Sequence, residues 1–196
     1  MIEETLWAGE TDPFANLENR PPDGYNLILA DPPWNYRDKA NDGQRGASHK
    51  YQTMTVEQLC ELSVANLAAK NCLLAMWWTG PMAEEAIAVT KAWGFKLKTM
   101  KGFTWAKTCK NGKYHKGMGH YTRANTEDCL FAMKGQITKI RKSRSVSQFI
   151  IAQRQEHSRK PDKVHDSLEE LVGDVPRLEL FARRPKQGWD VWGNQV

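Results

Sequence analysis

Apolar residues along this chain gather into short continuous runs, and the polar stretches between them carry helical spacing. Residues 25–30 (YNLILA) form one run, halted by Asp31-Pro32-Pro33. A buried strand is predicted there, ending where proline cannot donate to a ladder. Residues 72–78 (CLLAMWW) predict a second buried strand, 95–99 and 103–106 a third and fourth, 129–133 (CLFAM) a fifth and 177–182 (RLELFA) a last. Between them, Thr55-x-x-Gln58 is a capping-box pattern that opens a helix carrying Val56, Leu59 and Cys60, with a second short helical stretch to Ala69. Pro81 suits a first helical position, and the helix it opens reaches Trp93 and stops at Gly94. Residues 161–172 place Val164, Leu168 and Leu171 on one face and stop at Gly173.

Continuously apolar strands alternating with helices predict an α/β domain whose sheet is mostly parallel and flanked by helices. Ligands of such sheets gather at the carboxyl ends of the strands, where Asp31 and Arg183 both stand. Residues 1–24, with the polar run ENRPPDG at 18–24, predict a lead-in, and 25–196 a single domain. Residues 37–48, polar and holding Gly43 and Gly46, predict a loop.

Composition narrows the function classes. At 196 residues, 40% hydrophobic and 26% charged, the chain suits one packed core and is too apolar for a disordered protein. The acidic start MIEETLW is unlike a signal peptide, and the longest apolar run, 72–78, is far short of a membrane span. A cytoplasmic protein with no membrane partner is expected. Cys60, Cys72, Cys109 and Cys129 include no C-x-x-C pair, and the histidines have no ligand-like spacing, so neither a disulfide framework nor a metal is predicted.

The net charge of +5 is unevenly spread. Residues 96–160 hold sixteen Lys and Arg against three acids, and 134–144 (KGQITKIRKSR) five cations and no acid. Clustered cations of this kind fit a nucleic-acid partner, with Lys139, Arg141, Lys142 and Arg144 as candidate phosphate contacts. The competing reading is a solubilising loop.

Asp31-Pro32-Pro33-Trp34 carries the candidate chemistry. Two prolines remove two backbone donors, and a carboxylate beside their carbonyls makes an acceptor-only notch. Trp34 would add a flat surface for a base. An exocyclic nucleobase amine fits such a notch. Hydrogen bonds from its protons to Asp31 and the Pro32 carbonyl would free its lone pair for attack, a gain in positioning and electrostatics.

With DPPW the chain resembles the MT-A70-like amino-methyltransferases. Further blocks agree in order: Tyr51-x-Thr53-Met54, Leu74-x-Met76-Trp77-x-Thr79, and Gly117-Met118-Gly119-x-Tyr121-x-Arg123-x-Asn125-x-x-Glu127. Ser158-x-Lys160-Pro161-Asp162, Glu179-Leu180-Phe181-Ala182-Arg183 and Gly188-Trp189-Asp190-x-Trp192-Gly193-Asn194 follow. The resemblance implies a Rossmann-like methyltransferase fold with permuted motif order, S-adenosyl-L-methionine as cofactor and N6 of adenine as acceptor. It implies that Asp31, Pro32, Pro33 and Trp34 form the catalytic block, and that Asp31, Lys160, Arg183, Asn194 and Gln195 meet the cofactor. Tyr51, Arg123, Asn125 and Glu127 fall on the substrate side. Without the resemblance, Lys160, Arg183 and Asn194 would read as solvated residues at element ends.

Two departures stand out. No G-x-G-x-x-G follows a strand, and Arg184-Pro185-Lys186-Gln187 lacks the histidine and asparagine of the eukaryotic RNA-modifying relatives. The GMGHYTRANTE block looks like the bacterial and phage branch, which implies DNA as partner and a monomer or homodimer. Methylation of adenine in RNA, methylation of cytosine N4, and a catalytically silent nucleic-acid-binding subunit are the alternatives.

Overall fold

The computed structural model describes residues 12–35, 37–38, 45–46, 53–119, 121–155, 159–194 and 196. The strands are β1 (Tyr25–Ala30), β2 (Arg37–Asp38), β3 (Arg45–Gly46), β4 (Ala68–Trp78), β5 (Lys96–Thr108), β6 (Thr126–Lys134), β7 (Phe149–Gln153), β8 (Arg177–Leu180) and β9 (Asp190–Trp192). The helices are α1 (Val56–Glu61), α2 (Ala83–Ala92) and α3 (Lys163–Val172). Seven strands form one sheet in the order β7-β5-β6-β4-β1-β8-β9, while β2 and β3 pair separately. Only β6 runs against the rest of the large sheet. The Rossmann-like, mostly parallel sheet expected from sequence is present.

Strand alternation splits the core into two layers. Ile28 and Ala30 of β1, with Leu74 and Met76 of β4, face α1 and α2 through Leu59, Ala86 and Val89. Leu27, Leu29, Leu73, Ala75 and Trp77 point the other way, onto Val164, Leu168 and Val172 of α3. Burial on both faces is why these strands read as unbroken apolar runs. The capping box forms as expected, Thr55 and Gln58 each accepting the other's backbone N–H.

Several boundaries move. The two strands expected over 95–106 are one, because β5 pairs with β6 along its length, with register irregularities between Leu97 and Phe103. The helical stretch expected up to Ala69 is a 3₁₀ turn at Val64–Asn66, and β4 already begins at Ala68. Within the stretch read as a lead-in, residues 13–17 join the core: Phe14 and Leu17 are buried, Phe14 lies 4.8 Å from the Trp192 ring, and the Trp192 indole N–H donates to the Pro13 carbonyl at 2.8 Å. Trp189 is buried too, its N–H on Glu169 at 2.7 Å.

The chain leaves β1 toward β4 on one side, and later leaves β8 toward β9 on the other. β1 and β8 are hydrogen-bonded neighbours, so their carboxyl ends flank a topological switch point. Asp31 follows β1 and Arg183 follows β8 at this point, close enough for Arg183 to act on the Asp31 charge.

Candidate active site

Asp31 follows β1, its N–H reaching the Leu180 carbonyl of β8 at 3.4 Å. Lys160, at the approach to α3, meets both Asp31 carboxylate oxygens, at 2.8 and 2.7 Å. The Lys160 ammonium also lies 3.5 Å from Glu127 on β6, and Glu127 accepts from Lys107 of β5 at 2.5 Å. Asp31, Lys160, Glu127 and Lys107 thus form a chain of alternating charge, each side chain 26% exposed or less. Beneath it lie two indoles, with Lys160 5.4 Å from the Trp77 ring centroid and Lys107 5.4 Å from that of Trp105.

Partial burial sets the electrostatics. Desolvation raises the Asp31 carboxyl above its ordinary value, and Lys160, with Arg183 adding a smaller pull, works against that rise. Desolvation also pushes Glu127 upward, but Lys160 and Lys107 together outweigh it and hold Glu127 low. Lys160 is raised, since Asp31 and Glu127 overcome the cost of its burial. Burial, reinforced by Asp31, takes the Cys129 thiol well above the range where it would ionise, which leaves it a core residue. Two buried polar atoms nearby, Trp77 Nε1 and Thr79 Oγ1, have no hydrogen-bond partner. Buried polar atoms are rarely left so, and these suit a polar ligand.

The proline block differs from the expected open notch. The Pro32 carbonyl accepts the Trp34 N–H at 2.8 Å, and the Pro33 carbonyl accepts the Met54 N–H at 2.9 Å. Each carbonyl retains one lone pair, so the turn is rigid but not wholly acceptor-free for a ligand. Trp34 is corrected as a stacking plate. It is 4% exposed, packs in the core beside Met54, and donates its indole N–H to the Trp77 carbonyl at 3.0 Å. An indole next to an apolar layer gains more from burial than from standing open.

The remaining candidates divide by position. Arg183 and Asn194 are exposed, shortly beyond the carboxyl ends of β8 and β9. Those ends are locked together: Ala182 N–H donates to the Trp192 carbonyl at 3.0 Å, and a Cβ on Gly193 would run into the Ala182 backbone, 2.8 Å from its nitrogen. Phe181 between them has φ +62°, a backbone conformation rare outside glycine, asparagine and aspartate. Arg123 and Asn125 are exposed where the chain returns to β6, near Glu127. Tyr51 and Gln195 lie outside the described residues, as do the side chains of the 37–48 loop.

The basic cluster stands apart from Asp31. Lys134, which leads into it, pairs with Cys72 near the start of β4, whereas the site sits beyond Trp78 at its end. The backbone N–H of Lys142 donates to the Leu171 carbonyl in the last turn of α3, about 15 Å along the helix from the Lys160 end. Lys139, Arg141, Lys142 and Arg144 therefore belong to the edge opposite Asp31. Cations there complement the negative end of α3. Lys107, Trp77, Trp105 and Thr79 are members of the site that sequence reasoning passed over. Glu127 and Asp128, two of the three acids in residues 96–160, were the signal pointing to a cation partner such as Lys107.

Comparison with known proteins gives a consistent result. The MT-A70 family profile matches residues 25–195. The Type II methyltransferase M.MunI of Mycoplasma sp is 36% identical over 188 residues, covering 88% of this chain and 78% of that protein. An N(6)-adenosine-methyltransferase MT-A70-like protein of Arabidopsis thaliana is 29% identical over 88% of this chain, and the chain spans only 24% of its length. The N6-methyladenosine RNA methyltransferase MTA1 of Pyricularia oryzae is 25% identical over 88% of this chain and 47% of its own.

Proposed function

The chain belongs to the MT-A70 methyltransferase family, and from that premise we propose that it transfers a methyl group from S-adenosyl-L-methionine to N6 of adenine in DNA. The observation that carries the reading is the Asp31–Lys160 pair at the crevice between β1 and β8. The methionine end of the cofactor is a zwitterion, and one carboxylate beside one ammonium is the donor set it requires. Bound there, the cofactor supplies an electrophilic methyl on a sulfonium. Arg183, Asn194 and Gln195, at the ends of β8 and β9, would hold its ribose and adenine.

The chain's own contribution is positioning and electrostatics. Asp31 accepts hydrogen bonds from the substrate amine, aided by the free lone pair of the Pro32 carbonyl. Lys160 must then release at least one Asp31 oxygen. Glu127, 3.5 Å away and kept ionised by Lys107, is the second seat for that ammonium. Trp34 fixes the turn from the core side. No residue forms a covalent intermediate. Tyr51, Arg123 and Asn125 would face the nucleic acid, in a protein acting in the cytoplasm as a monomer or homodimer; no described helix is long and apolar enough to cross a membrane. DNA is favoured because the mycoplasma Type II methyltransferase matches this chain over most of its own length, whereas the RNA-modifying relative does so over less than half.

Nucleoside mass spectrometry after incubation with cofactor and either DNA or RNA tests the proposal. N6-methyladenine is expected in DNA and is lost in Asp31→Ala, with the melting temperature retained. N4-methylcytosine, product in RNA alone, or nucleic-acid binding with no transfer would each overturn it.

A further inference from the structure

The segment joining β5 to β6 projects from the same sheet edge as the site. Its root is tied by Lys107 N–H to the Asn125 carbonyl at 2.9 Å, and by His115 N–H to the Lys107 carbonyl at 2.8 Å. Farther out, Gly117 N–H donates to the Ala124 carbonyl at 2.9 Å. The two sides approach so closely that a Cβ on Gly117 or Gly119 would strike the Ala124 or Thr122 carbonyl oxygen. The result is a narrow arm whose base, Lys107 and Glu127, belongs to the charge chain that ends on Asp31.

The far end of this arm is unusual in what it exposes. Tyr121 is fully solvent-accessible and Met118 is 78% exposed, while Tyr114, bridged to Thr108 near the root, is 55% exposed. Large apolar side chains gathered at one exposed place mark a binding surface. Lys110, Lys113, Lys116 and Arg123 accompany them, and residues 109–125 contain no acid. Cations without acids select a polyanion over a typical protein surface. An adenine amine inside a duplex is stacked and out of reach of Asp31, so the base must be extruded, and an apolar or aromatic side chain can hold the gap it leaves.

We propose that Tyr121, with Met118 beside it, is a wedge that enters the base stack of duplex DNA next to the target adenine. The arm's cations seat the flanking phosphates, and the ring replaces the stacking lost when the base leaves. The inference rests on the adenine-methyltransferase reading and adds to it a residue that decides whether duplex can serve as substrate.

Methyl incorporation into plasmid DNA, native or heat-denatured to single strands, separates the two. Tyr121→Ala should lower kcat/KM on native duplex by about tenfold or more and leave the denatured form within about twofold, since an unstacked base needs no wedge. Tyr121→Phe, which keeps the ring, should restore duplex activity, and Met118→Ala should show a smaller loss of the same kind. Equal losses on both forms, or none on duplex, would overturn the wedge while leaving the methyltransferase reading intact. A wild type that methylates neither form would overturn both.

Discussion

At Asp31 two demands compete. Burial favours the neutral acid, whereas accepting hydrogen bonds from an amine requires the carboxylate, and Lys160 pulls back toward charge without fully offsetting the burial. Because the carboxyl stays raised above its ordinary 3.8, activity should be lost on acidification sooner than for an ordinary aspartate. In Lys160→Met the cation that pulls this value down is gone, so the acid limb of kcat/KM should move to still higher pH. A pH profile in which the limb stays put or moves toward acid would separate Asp31 from the titration. Glu127 behaves in the opposite sense. Two ammonium groups hold it below its ordinary value, so its charge is favoured where burial works against that of Asp31.

Between residue and domain, the elements work as rigid mounts. Asp31, Thr79 and Arg183 all follow strands of one sheet, and the strands' parallel pairing keeps their ends level. The weakest mount by length is β9, three residues held to β8 and closed by the Ala182–Trp192 hydrogen bond. Gly193→Ala places a methyl group against the Ala182 backbone, an overpacking cost of about 1–3 kcal/mol. Its melting temperature should fall by roughly 5 °C, taking a few degrees per kcal/mol for a chain of this size. Calorimetry should find weaker cofactor binding in the same variant. An unchanged melting temperature would mean that β8 and β9 separate freely at this point.

Across the whole molecule, positive charge is divided between two edges. The arm carrying Lys116 and Arg123 rises on the site edge, while Lys139, Arg141, Lys142 and Arg144 gather at the far end of α3. Each phosphate contact steepens the salt dependence of binding by about one unit of slope. Neutralising Lys116 and Arg123 together should therefore flatten the slope for duplex DNA by up to about two. Neutralising the four far-edge cations should change it by less than one. Equal effects from the two sets would show that DNA wraps round the sheet.

Much of this molecule was legible in its residues. Apolar runs located β1, most of β4, β6 and β8, since strands buried on both faces leave no alternation to misread. That Lys160 stands at Asp31 was implied by the resemblance, since motif order is a property of the chain. Other features depend on pairing. β7 and β9 are short and owe their strand state to β5 and β8, and β5 runs on as one strand between two stretches paired with β6. The burial of Trp34, the union of Lys107 with Glu127, and the distance of the basic cluster from Asp31 were decided in three dimensions. Local chemistry says what a side chain can bind; which neighbour satisfies it, and on which edge, is set by how the sheet closes.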